Sequence, residues 1–207
     1  MDYYHAPLAC SLAGHVLIRE AGLPVRRVPV SLASGRCADG LALQEINPKG
    51  LVPVLRLDDG TLLTESAAVL SVLADLAPER GYLPPRDTAE GRATLEWLSF
   101  TATELHKLCL YPAFQAGAPD AVKAWCRAQL PGRMAVAEAR LRDHPWLAGE
   151  HFTIADAYFG WALATCRYAG FDIGASPVLK QAWKRFMARP AFAEALAEEQ
   201  AMYAQAA

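Results

Sequence analysis

The chain has 207 residues, enough for one large domain or two small ones. Its 53% hydrophobic content supports a sizeable core, and a formal net charge of −2 excludes the basic footprint of a nucleic-acid binder. No apolar run reaches the roughly 18 residues of a membrane span, and no basic cluster points to a membrane surface.

The opening Met1-Asp2-Tyr3-Tyr4-His5 lacks the charged and apolar regions of a signal peptide, so a cytoplasmic location is expected. Asp2 to His5 is short and aromatic and predicts a strand. Leu12, Ala13, Val16, Leu17 and Ala21 recur at helical spacing, and Gly22 closes that segment. Val25 to Leu32, rich in β-branched residues, predicts the next strand. Val52 to Leu57 and Thr61 to Leu63 flank Asp58-Asp59-Gly60, a hairpin turn. Thr64 then precedes a helix carrying Ala67, Ala68, Leu70, Val72 and Leu73. The order β-α-β, a short helix or loop, then β-β-α describes a small sheet with helices on its faces.

Pro78 through Pro85 is rich in proline, glycine and charge and reads as a linker. The predicted division is an α/β domain over 1–78, a linker over 79–88 and an all-α domain over 89–207. One helix is expected from Glu90 to about Leu110, with Trp97, Phe100, Leu105 and Leu108, and a second from about Ala121 to Arg142. Pro131-Gly132 inside the second predicts a kink or break. Ser176-Pro177 and Arg189-Pro190 mark further helix starts, and the alanine-rich tail is expected to fray. Phe152-Thr153-Ile154-Ala155-Asp156 is a capping box with Phe152 as a hydrophobic staple, worth ~1 kcal/mol.

Few residues carry obvious chemistry. The cysteines (Cys10, Cys37, Cys109, Cys126, Cys166) form no CxxC pair, so neither a zinc site nor a dithiol motif is signalled. Cys10 lies between the first strand and first helix, where a helix N-terminus favours thiolate; an inert buried thiol is the competing reading. The position three residues on is Ala13, so no resolving cysteine is present. Pro53 opens a strand, either as an ordinary edge proline or as a cis bond that frees the Val52 backbone for an extended peptide. Glu65-Ser66 opens a helix and suits either a plain cap or an amino-acid head group, with Glu65 on the ammonium and Ser66 on the carboxylate. Ser99, Thr103 and His106 stand at i, i+4 and i+7, one face of an α-helix, with Lys107 at its edge. Tyr3 and Tyr4 offer a phenol as another way to activate a thiol, against a core role.

The stretches Tyr3–Ala13, Ile46–Pro53, Leu57–Glu65, Glu96–Lys107 and Phe152–Tyr158 occur in order along the chain. With them the sequence resembles bacterial beta-class glutathione transferases over nearly its whole length. The resemblance implies a thioredoxin-like N-terminal domain, an all-helical C-terminal domain, a homodimer, and glutathione as co-substrate with no metal. It makes Pro53 a cis-proline, with Val52 pairing the cysteinyl part of glutathione, and places Glu65 and Ser66 at the γ-glutamyl end. It assigns Cys10 to the glutathione sulfur, with Ser11, His106 and Lys107 as its polar neighbours, and counts Ala9 among the glutathione-binding residues. Thr103 and Glu104 are expected to reach toward the partner subunit's glutathione.

Several positions depart from that pattern. Gly35 stands where many members have a lysine near the glycyl carboxylate, and Arg36 is the substitute expected there. Ser99 replaces an asparagine in the cleft. Leu8 replaces a common glycine and is expected to narrow the electrophile pocket, assigned to Tyr4, Leu8, Leu110, Tyr111 and Phe114. The expected activity is conjugation of glutathione thiolate to small hydrophobic electrophiles. The alternatives are glutathione-dependent disulfide or peroxide reduction through a Cys10 mixed disulfide, and ligand binding without turnover.

Overall fold

The computed structural model describes residues 1–171 and 176–206. In chain order its elements are β1 (Asp2–His5), α1 (Leu12–Ala21), β2 (Arg26–Ser31), β3 (Arg36–Cys37), α2 (Leu43–Ile46), β4 (Val54–Arg56), β5 (Leu62–Thr64) and α3 (Ser66–Asp75). A 3-10 turn (Pro78–Arg80) leads to α4 (Ala89–Phe100), a π-helical stretch (Thr101–Leu110), α5 (Tyr111–Phe114), α6 (Asp120–Asp143), α7 (Ile154–Tyr168), α8 (Pro177–Met187) and α9 (Pro190–Ala206). The chain forms two compact units, Met1–Gly81 with Arg189–Ala207, and Tyr82–Ala188. The division at 89 drawn from sequence places α9 with the helices, whereas α9 packs on α1 in the first unit.

In the first unit the strands lie in the order β3-β2-β1-β4-β5. β1 and β2 run parallel, as the α1 crossover requires, and the other neighbours are antiparallel. The short β3 escaped prediction, because two residues carry no periodic signal. Alternation along β1 sends Tyr4 to one face, where it joins Val28, Val30 and Val54 beneath Leu43 and Ile46 of α2. Tyr3 goes to the other face, and its hydroxyl donates to Ser11 O at 2.6 Å. Gly14 permits that approach: a Cβ there would lie 2.2 Å from Tyr3 Oη. α1 ends, as expected, on Gly22 in the left-handed conformation (φ 64).

α9 is fastened to α1 and β2 by charge. Glu20 holds Arg189 through both carboxylate oxygens at 2.6 and 2.8 Å. Arg19 pairs with Glu194 and Glu198, and Arg27 also reaches Glu198. The expected fraying of the tail is not seen where it can be described, since α9 continues to Ala206; Ala207 lies outside the described residues.

In the second unit α7 is buried almost all round, from Ile154 through Ala164 and again at Cys166. A helix so enclosed must satisfy its first donors without water. Ile154 N donates to Tyr82 O at 3.0 Å, and the Asp156 carboxylate accepts from the N-cap Thr153 N at 2.9 Å, as well as from Thr153 Oγ1 at 3.0 Å and from Leu147 N in the preceding loop at 2.8 Å. The capping box is therefore present, and Phe152 packs edge-on against Tyr82 and Trp146.

Two expectations are refined in this unit. α6 runs unbroken through Pro131, so of the kink or break foreseen there the break does not occur. Pro131 and Gly132 are exposed, so the carbonyl that loses its donor faces water. The predicted helix from Glu90 to Leu110 is α-helical only to Phe100 and then π-helical. No helix among the described residues is long and apolar enough to cross a membrane.

Candidate functional site

The first unit gathers Cys10, Val52, Pro53, Glu65 and Ser66 around the turns after β1 and before β4 and α3. Cys10 precedes α1, and its Sγ donates to the Val52 carbonyl at 3.4 Å. The thiol is buried, with 8% of the residue exposed. The Val52-Pro53 bond is cis, the reading that family resemblance favours over local statistics. Among the described residues the Val52 N–H has no hydrogen-bond partner. Ala9 turns back, its N–H donating to Ala6 O at 3.2 Å.

Ser11 was expected beside the reacting sulfur, and the structure gives it other work. It is fully buried, and its hydroxyl accepts from Ala6 N at 3.0 Å and donates to Ala6 O at 3.2 Å. With both bonds committed to the loop backbone, Ser11 locks the turn that carries Cys10.

Tyr4 is also corrected. It was assigned to an electrophile pocket, but it is a core residue with no exposed surface. Its hydroxyl bonds Asp39 Oδ2 at 3.2 Å, and burial together with the Asp39 charge pushes its pKa up to about 12. Neither Tyr3 nor Tyr4 therefore offers a spare phenol for thiol activation. Leu8 is half-buried and has φ 61, so it occupies a left-handed turn.

Glu65 occupies the N-cap position of α3, with φ 70, and Thr64 closes β5 before it. The Glu65 carboxylate is exposed and takes a hydrogen bond from Lys49 Nζ at 2.7 Å. Lys49 also donates to Thr64 Oγ1 at 2.9 Å. Lys49 was passed over in the sequence, because nothing local links it to a residue sixteen positions on. Ser66, at the first turn of α3, is 6% exposed. Gly35 adopts φ 67, a value glycine takes without steric cost. The Arg36 guanidinium bonds Gly40 O at 3.3 Å within its own hairpin, so it is turned to its neighbour's backbone.

The second unit holds His106, Lys107, Ser99, Thr103 and Glu104. His106 is buried, and its Nδ1 shares a 2.6 Å hydrogen bond with Tyr158 Oη. The rings of Trp161 (4.7 Å between centroids), Tyr158 and Tyr111 surround it. Ser99 and Thr103 are exposed, with Thr103 Oγ1 donating to Ser99 O, so the shared face with His106 does not form. The cause is the π-helix, whose wider turn rotates His106 away from the α-helical position. Glu104 pairs with Arg133 of α6 at 3.0 Å, and the Lys107 ammonium lies 4.3 Å from the Tyr111 ring centroid. Of the residues assigned to a pocket, Leu110 is buried at 1% exposure and Phe114 is exposed beside Phe171. Burial pushes the Cys109 and Cys166 thiols up to about 11 and about 12, so neither supplies thiolate near neutral pH.

Sequence reasoning missed one buried polar cluster in the first unit. Glu199 of α9 accepts from His5 Nδ1 at 3.2 Å and His15 Nδ1 at 2.9 Å on one oxygen, and from Leu8 N at 2.8 Å on the other. All three side chains are fully buried. Burial pulls the Glu199 pKa up, but the bonds from His15 and His5 outweigh it and hold the carboxyl below its ordinary value. Burial holds His15 below its ordinary pKa, so a neutral ring donates to an ionised carboxylate. The set has the composition of a metal site, with ligand atoms within 4.8 Å of one another. A metal on His15 Nδ1 would move the ring proton to Nε2, where Arg19 Nε (3.1 Å) and Arg27 already point donors. The cluster is a hydrogen-bond network.

Residues 9–76 match the model of the glutathione S-transferase N-terminal domain, and residues 100–190 that of the C-terminal domain. The chain is 38% identical to the glutathione S-transferase GstA of Escherichia coli O157:H7, over 96% of this chain and 98% of that protein. It is 30% identical to the disulfide-bond oxidoreductase YfcG of E. coli K12, over 97% of this chain and 96% of that one. A sphingomonad glutathione S-transferase solved in complex with glutathione superposes with a TM-score of 0.90 at 34% identity, covering 97% of this chain and 99% of that one.

Proposed function

The chain belongs to the glutathione S-transferase family, and from that membership we propose that it conjugates glutathione to small hydrophobic electrophiles, acting as a cytoplasmic homodimer. In this reading the tripeptide lies extended along Val52-Pro53. The Val52 N–H and C=O pair its cysteinyl backbone as a neighbouring strand would. Its γ-glutamyl ammonium meets Glu65, and its carboxylate meets Ser66 and the N-terminus of α3. The glutathione sulfur then stands beside Cys10. The observation that carries the reading is the 3.4 Å contact of Cys10 Sγ with the Val52 carbonyl, next to a Val52 N–H without a partner among the described residues.

Catalysis follows from thiolate formation at that point. The thiol loses its proton, the thiolate attacks the electrophilic carbon, and the leaving group departs with the electron pair. Each unit by which the site lowers the thiol pKa corresponds to ~1.4 kcal/mol in favour of thiolate. The test is retention on immobilised glutathione, followed by turnover of a chlorodinitrobenzene-type electrophile. Retention and chloride release are expected; neither retention nor turnover would sink the proposal.

The same placement of Cys10 favours a second reading, and the similarity to a disulfide-bond oxidoreductase supports it. Here the Cys10 thiolate attacks a substrate disulfide, forms a mixed disulfide and releases one thiolate. One glutathione displaces Cys10 and forms a mixed disulfide with the remaining half; a second attacks the glutathione sulfur of that disulfide, so the half leaves as a thiolate and oxidised glutathione forms. Intact-mass analysis after oxidised glutathione separates the readings. A glutathione adduct confined to Cys10, with reduction lost in Cys10→Ala, supports reductase chemistry; Cys10→Ala with full reductase activity ends it.

A further inference from the structure

Leu8 stands two residues before Cys10 with φ 61, a conformation that a branched L side chain adopts only when something holds it there. The loop has ties on both sides of it. Ala6 is latched by the Ser11 hydroxyl, and Cys10 meets Val52. At Leu8 itself the N–H donates at 2.8 Å to Glu199 Oε2, almost two hundred residues away in sequence. The Glu199 carboxylate cannot turn away from that bond, because its other oxygen is held by the His5 and His15 Nδ1–H groups. His15 is fixed in turn by Arg19 and Arg27 at Nε2.

We propose that Glu199 is a positioning residue: by holding the Leu8 N–H it maintains the left-handed turn at Leu8 and so sets the Cys10 thiol against the Val52 segment. This inference rests on the glutathione-binding reading only for its functional consequence. The geometry lies wholly within the first unit. It requires a carboxylate, since both oxygens must accept. A glutamine would turn its NH2 toward either the two imidazole donors or the Leu8 N–H, donor against donor.

The experiment is alkylation of the full-length protein by iodoacetamide, with the rate at Cys10 read by peptide mass mapping. It compares the unaltered protein, Glu199→Gln, and the double variant Glu199→Gln with Leu8→Gly. Releasing the turn should raise the Cys10 rate about tenfold, the ratio a single hydrogen bond of ordinary strength provides. Glycine adopts φ 61 without help, so the double variant should return to within about threefold of the unaltered protein. A general packing role for Glu199 would not be rescued in this way. An unchanged rate in Glu199→Gln with native circular dichroism, or no return in the double variant, overturns the proposal. Should Glu199→Gln fail to fold, hydrogen exchange at the Leu8 amide of the unaltered protein decides. Protection on the order of 100-fold supports the bond, and exchange at an open-loop rate overturns it. Alkylation needs no glutathione, so failure of glutathione retention would register separately.

Discussion

The Lys49 ammonium lies 2.7 Å from the Glu65 carboxylate, so the group assigned to a ligand's ammonium is already paired with a cation of the chain itself. Both side chains are more than half exposed, and a pair of that kind is worth ~0–1 kcal/mol. A ligand ammonium can therefore displace Lys49 at little cost.

This yields opposite expectations for the two partners. Glu65→Gln removes a charge-assisted bond and should weaken glutathione binding by about tenfold to a hundredfold, from ~1.5–3 kcal/mol. Lys49→Met removes the competitor and should tighten binding by no more than about fivefold. Isothermal calorimetry with glutathione reads both. Weaker binding in Lys49→Met would mean that Lys49 assists the ligand instead.

Acid should destabilise the first unit in two steps. Burial holds the His15 pKa below 6.5, so in the unfolded chain this group binds a proton that the folded one refuses. Stability therefore falls as pH drops below about 6.5 and levels off below the folded pKa. For Glu199 the folded pKa lies below 4.5, and its contribution is present above that value and lost as pH falls through the folded pKa. Urea midpoints measured between pH 8 and pH 4 should decline toward acid, and His15→Gln should flatten the part just below about 6.5. A midpoint that rises toward pH 5 would contradict this assignment of protons.

Pro131 sits on the exposed side of the continuous helix α6. Proline in a helix interior costs ~3 kcal/mol relative to alanine, so Pro131→Ala should stabilise the protein by about 1–3 kcal/mol. Its urea midpoint should rise without loss of helical circular dichroism. A fall would show that the ring makes a stabilising contact.

The first unit's order of elements was legible because each signal is local. Tyr3 and Tyr4 alternate in β1, apolar residues repeat along α1, and Gly22 and Asp58-Asp59-Gly60 mark ends and turns. The Thr153-Asp156 cap was legible for the same reason: both partners lie within one turn. Cys10 and Val52 were raised by local sequence with competing readings that family resemblance decided between, and their contact needed the folded sheet.

Other features were invisible because their partners are remote or their geometry carries no pattern. Nothing near Glu199 announces His5, His15 and Leu8, nor does anything near His106 announce the Tyr158 hydroxyl. The π-helix over Thr101–Leu110 was read as α-helix, so Ser99, Thr103 and His106 were grouped on a face that does not exist. Sequence by itself determined most of the strands and helices and what family they make, since short-range periodicity and caps are written in neighbouring residues. Only tertiary structure decided which side chains keep their polar groups available. Ser11, Tyr4 and Arg36 have theirs occupied by other parts of the fold, because buried donors and acceptors must find partners wherever packing brings them.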